Sequence, residues 1–166
     1  MNYTNSRCVR IIGEISEGAF EDFSKRLNEL EHQSDKPIHV EICSGGGIPE
    51  AALAFYSRIR LSPVDIYVYV YGHASSAASL IVAAGDKRFM TKEAWIMVHE
   101  ESNEIEGDVK KFETEVEQMR RAENFWNELL AARTKTTARS WAGMNHETTY
   151  LTAEECLELG LIDEVI

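Results

Sequence analysis

Residues 8–15, CVRIIGEI, cluster apolar and β-branched side chains and read as a short strand. Ser16 then stands as a helix N-cap, with Glu17, Glu21 and Asp22 in the first turns, where a carboxylate meets the positive end of the helix dipole. Ala19, Phe20, Phe23, Leu27 and Leu30 recur at helical spacing and predict a helix to about Glu31. QSDKP is a loop, IHVEIC (38–43) alternates as a strand, and SGGG (44–47) is expected to break it. IPEAALAFYSRIRLS reads as a helix with Pro49 in its first turn, and VDIYVYVY (64–71) as the next strand.

The second half continues this alternation. A helix is expected from about Ser76 to Ala84, ending at Gly85-Asp86. RFMT and AWIMVHE read as two short strands. A long helix follows from about Asp108 to Arg133, with Val109, Phe112, Val116, Met119, Trp126 and Leu130 near heptad positions and Glu123 interrupting them. Trp141 lies in a further short helix. TAEECLELG has Thr152 as N-cap and Gly160 just past its end, and LIDEVI is a closing strand. The repeated β-α-β order predicts an α/β fold, in one domain spanning 1–166.

The chain has 166 residues and a formal net charge of −11 at pH 7. So acidic a surface argues against nucleic acid or an anionic membrane as the principal partner. Cys8, Cys43 and Cys156 have no C-x-x-C spacing, which fits a reducing cytoplasm and argues against a disulfide framework or a zinc site. No apolar run reaches membrane-spanning length and no signal segment opens the chain. Neither a metal nor a cofactor is expected.

One stretch asks for a chemical explanation. YGHASSAAS (71–79) packs glycine, alanine and serine where a strand becomes a helix. Small residues there serve close packing, or they hold a serine nucleophile on a tight turn. Four short motifs in order favour the second reading: Ser44-Gly45-Gly46-Gly47, then Gly72-His73-Ala74-Ser75-Ser76-Ala77-Ala78, then Met97-Val98-His99, then Tyr150-Leu151-Thr152-Ala153. In this order they resemble the Clp protease proteolytic subunit family, over nearly the whole chain. The Ala-Ser pattern and GDKRFM are also similar to Clp-related phage head-maturation proteases.

The resemblance implies a Clp/crotonase-like fold with a protruding handle helix at 108–133. It implies a serine-type endopeptidase with Ser76 as nucleophile, His99 as general base, and the backbone N–H groups of Gly47 and Ala77 as oxyanion donors. It implies homo-oligomers, heptameric or double-heptameric rings, that take peptide substrates from an AAA+ unfoldase. Ser75 and Ser79 are assigned to packing or capping, His73 has no catalytic role, and His32 and His39 are read as surface residues.

The chain departs from the family pattern at four places. Thr148 stands where the family has the third catalytic residue, an Asp, with Glu147 adjacent and Asn145 near; Thr148 and Glu147 are both candidates for that place. Gly45 replaces a proline. Glu101, Asn103 and Glu104 occupy a segment where the family has a Pro and a Gly-Gly pair. Only a short segment precedes the first strand. Alternatives to the ring protease are a phage-type maturation protease and a catalytically weak structural ring subunit. A crotonase-type acyl-CoA enzyme is disfavoured by the Ser-His order.

Overall fold

The computed structural model describes residues 7–100 and 106–166. Along the chain it places β1 (Cys8–Ile15), α1 (Glu17–Gln33), β2 (Ile38–Gly47), α2 (Pro49–Arg60), β3 (Ile66–Ser75), α3 (Ala77–Ala84), β4 (Lys87–Met90) and β5 (Trp95–Val98). There follow α4 (Val109–Ala132), α5 (Ala138–Glu147), β6 (Thr149–Thr152), α6 (Ala153–Leu159) and β7 (Glu164–Val165). This is a mixed α/β fold with parallel strands at its centre.

The strand order is β1-β2-β3-β4-β7, with every neighbouring pair parallel. β5 joins in parallel to the far end of β3, Ser75 opposite Met97. β6 then pairs antiparallel with β5, Val98 opposite Thr149. The alternation read in the sequence sorts the two faces of the sheet. Ile38, Val40, Ile42, Ile66, Val68 and Val70 are fully buried. His39, Tyr67, Tyr69, Tyr71 and Phe89 lie half-buried on the opposite face, where Tyr69 and Phe89 stack with ring centroids 4.7 Å apart. His39 is therefore no plain surface residue: its Nδ1 lies 2.9 Å from the Tyr69 hydroxyl.

Helix ends follow their sequence signals. Ser16 caps α1, accepting from the Ala19 N–H. Thr152 and Glu155 form a reciprocal capping box on α6, and Gly160 closes that helix at φ 72°. Asp108 caps α4. Only Asn127 and Leu130 of α4 are buried, while Val109, Phe112, Val116 and Phe125 are exposed.

Four elements differ from the sequence reading. SGGG does not break β2, because pairing with β1 carries the strand on to Gly47 opposite Ile15. Glycine's weak strand preference yields here to a ladder that the local sequence cannot reveal. β3 likewise extends through His73 and Ala74 to Ser75, where it gains β5 as a neighbour. The residues before Thr152 form β6 rather than a plain helix approach, and only Glu164 and Val165 of LIDEVI are strand.

Candidate active site

Ser76 sits between the end of β3 and the first residue of α3, at φ 53° and ψ −124°. A non-glycine residue at positive φ carries backbone strain of about 1–3 kcal/mol, held by its surroundings. Those surroundings are tight. The Ser76 N–H donates to Met97 O at 2.7 Å, and Ser76 O accepts from the Ser79 N–H at 2.9 Å. The Ser79 hydroxyl also donates to Ser76 O, at 2.7 Å. Every residue of α3 is buried, so the turn rests on a packed base. Small side chains serve both readings at once: they let the helix bury and leave the Ser76 hydroxyl half-exposed at its N-terminus.

His99 follows the last residue of β5. Its Nε2 lies 2.7 Å from Ser76 Oγ. The structure thus brings together the two residues that the motifs single out, from 23 positions apart. His73 lies elsewhere, stacked on Trp95 at 5.5 Å with its Nδ1 3.8 Å from Cys43 Sγ. The three cysteines are free. Burial first, then Glu41, pushes the Cys8 thiol up to about 11; burial first, then Glu155, pushes Cys156 up to about 12. Neither is a thiolate at neutral pH.

The glycine turn divides its work between two residues. A Cβ on Gly46 would stand 2.8 Å from Ser76 Cβ and 3.1 Å from Ala77 N, so Gly46 is the glycine packed against the serine turn. A Cβ on Gly47 would strike the backbone of Ile15, 2.3 Å from its oxygen. The Gly46 N–H donates to Ser44 Oγ at 3.1 Å, and that hydroxyl donates to Gly13 O at 2.6 Å. The Ile48 N–H donates to Ile15 O at 2.8 Å. Sequence reasoning missed Ser44 and Gly13 as the brace of this turn. A hint was present in Gly13, at φ 87° in a bulge of β1.

The third position is different. Thr148 closes α5 in the left-handed region, at φ 53° and ψ 86°. It is exposed, as is Glu147. Among the described residues neither side chain bonds to His99, whose one hydrogen bond is to Ser76. Asn145 is buried and points into the protein, where its Nδ2 donates to Asn127 Oδ1 at 2.7 Å. Glu101, Asn103 and Glu104 lie outside the described residues.

The chain as a whole matches a known family. The family model described as Clp protease matches residues 2–166. The chain belongs to the Clp protease family. It is similar to the ATP-dependent Clp protease proteolytic subunit 2 of Treponema denticola, 29% identical over 166 residues, covering 98% of this chain and 83% of the relative. Among solved structures it resembles that of a ClpP1 mutant from Listeria monocytogenes, with a TM-score of 0.89, 28% identity, and coverage of 96% of this chain and 91% of the other. Clp family membership also means membership among serine proteases. Among the described residues, no helix is long and apolar enough to cross a membrane.

Proposed function

We propose that the chain is the proteolytic subunit of a self-compartmentalised serine endopeptidase, with Ser76 as nucleophile and His99 as general base. The observation that carries this reading is the 2.7 Å contact between Ser76 Oγ and His99 Nε2. A serine hydroxyl is a weak nucleophile until a base within hydrogen-bond reach takes its proton. His99 takes it as Oγ attacks the scissile carbonyl carbon. The resulting imidazolium then gives the proton to the departing amine. Water repeats the sequence on the acyl-enzyme, with His99 as base and then acid, and releases the carboxylate and the free serine.

The negative charge on the tetrahedral oxygen calls for fixed N–H donors. Ala77 is the first residue of α3, where N–H groups have no partner within the helix. On the other side, the Gly46 and Ile48 N–H groups are both engaged, by Ser44 Oγ and Ile15 O. Gly47 lies between these two residues, next to the glycine that packs against the Ser76 turn. Gly47 and Ala77 together are the oxyanion donors of this reading.

Two bare surfaces support assembly. Parallel sheets are nearly always covered on both faces, yet here the aromatic face is only half-buried. The exposed apolar residues of α4 also find no cover among the described residues. Both suit a ring of copies, heptameric or double-heptameric, enclosing the serines. ATP dependence belongs to the Treponema relative by its name; for this chain it enters as a partner AAA+ unfoldase that delivers unfolded peptide in the cytoplasm.

A second reading has one observation in its favour. His99 has no carboxylate partner among the described residues, and loss of that partner elsewhere costs about 10⁴ in rate. A weak ring subunit would result. Hydrolysis of a fluorogenic peptide, run beside sedimentation velocity, separates the two. Turnover by a species of many subunits supports the protease. Large rings without turnover support the weak subunit, and a stable monomer contradicts both.

A further inference from the structure

The residue that joins the machinery beyond His99 is Asn145. Its carbonyl accepts two N–H groups: that of Glu100 at 3.0 Å, directly after His99, and that of Thr148 at 3.2 Å, at the third-residue position. Its side chain reaches the other way and donates to Asn127 Oδ1 at 2.7 Å. Asn127 and Asn145 are 5% and 9% exposed, one turn from the buried Leu130 and Trp141 on their own helices.

We propose that Asn127 and Asn145 form a positioning pair that fixes the backbone of His99 against Ser76. The inference rests on the serine-peptidase reading of the site, and it gives that site two further residues.

His99 lies just beyond its strand, so the β-ladder holds it on one side only. Before it, Met97 O takes the N–H of Ser76 itself, and Val98 pairs with Thr149. After it, the bond from Glu100 to Asn145 holds the chain. The imidazole is thus suspended between two anchors, one on the nucleophile turn and one on Asn145. An anchor is only as fixed as its own support, and Asn145 is tied through its amide to α4. A buried amide pair is worth little in net stability over an apolar pair of the same shape. What it adds is one definite geometry, because either amide left alone would be buried and unsatisfied. A general base needs that definition, since a displacement of about 1 Å costs about a hundredfold in rate.

The experiment uses the full chain and two readouts. Asn127→Ala is expected to speed amide hydrogen exchange at Glu100 and Thr148 about tenfold while Ile96 stays protected. It is expected to slow covalent labelling of the serine by a fluorophosphonate about tenfold, lowering kcat for a peptide with KM unchanged. Asn127→Asp keeps the acceptor oxygen and is expected to recover most of the exchange protection. Leu130→Ala, on the same helix and fully buried, controls for lost packing; it should lower Tm without exposing the Glu100 amide selectively. Unchanged exchange at Glu100 in Asn127→Ala overturns the proposal, as does equal slowing of labelling by Leu130→Ala. If the wild-type chain takes no fluorophosphonate, the peptidase reading fails, and exchange at Glu100 still decides whether the pair holds the strand end.

Discussion

The N–H of Ser76 donates to the carbonyl of Met97 at 2.7 Å, two positions before His99 on the same segment. Ser76 and His99 are therefore coupled through the backbone as well as through their side chains. The strained φ of Ser76 is the cost of that coupling, since only this turn directs its N–H to β5 and its hydroxyl to the imidazole.

In the proposed mechanism the two side chains act as a unit, so removing either should cost nearly as much as removing both. We expect His99→Ala and Ser76→Ala each to abolish peptide turnover, by about 10³-fold or more, with the double variant no slower. Steady-state rates of the three variants check this. A double variant far below each single one would mean that the residues act separately.

Gly46 should tolerate no side chain. A methyl group there would meet Ser75 O at 2.7 Å and Ser76 Cβ at 2.8 Å, at a φ of 98°. The contacts are with backbone and with the Cβ of Ser76 itself, so relief must move the serine turn. We expect Gly46→Ala to reduce serine labelling about a hundredfold and to lower stability by about 1–3 kcal/mol. Gly45→Ala meets nothing within 4 Å and should leave labelling close to wild type. Equal labelling in the two variants would contradict the close approach.

At Thr148 the left-handed backbone gives a clean substitution series. A β-branched residue at φ 53° is strained, whereas Asp and Gly accept that region more readily. Thr148→Gly relieves the backbone without adding a carboxylate, and Thr148→Asp does both. If position 148 faces His99 in the working enzyme, Asp should raise the peptidase rate about tenfold or more and Gly should not, while Glu147→Ala changes little. A large loss from Glu147→Ala with no response to Thr148→Asp would assign the third place to Glu147.

Features that depend on local order are legible in the sequence. Ser76 lies in a run of small residues between a strand and a helix, and His99 directly follows a strand, so both are legible. Tertiary contacts are much less so. Nothing local tells that Gly46 rather than Gly47 touches Ser76, because that depends on the register of β2 against β3, with Ser44 opposite Ala74. Nothing local carries β2 through three glycines either. The C-cap at Thr148 has no glycine or asparagine to announce its positive φ, and the buried turn toward Asn127 hides Asn145 among polar residues.

His146 adds a pH dependence to this end of α5. Its Nδ1 lies 2.9 Å from Glu100 Oε1. The hydrogen bond with Glu100, then the charges of Glu100 and Glu147, raise its pKa above the ordinary 6.5. A raised folded pKa means that the contribution to stability is full below about 6.5 and is lost as pH rises through the folded value. Thermal unfolding of wild type and His146→Gln from about pH 5.5 to about pH 9 tests this. The wild-type advantage should be largest at the acid end and fade at the alkaline end. An advantage that grows with pH would reverse the sign and contradict the pair.

The central claim is that Ser76 is the nucleophile, and covalent capture tests it most directly. The full chain is treated with a fluorophosphonate, digested, and the adduct located by mass spectrometry. The account predicts the phosphonyl group on Ser76 Oγ, lost in Ser76→Ala while the sedimentation profile is unchanged, and retained in Ser75→Ala and Ser79→Ala. An adduct on Ser75 or Ser79, or labelling that survives Ser76→Ala, would contradict it.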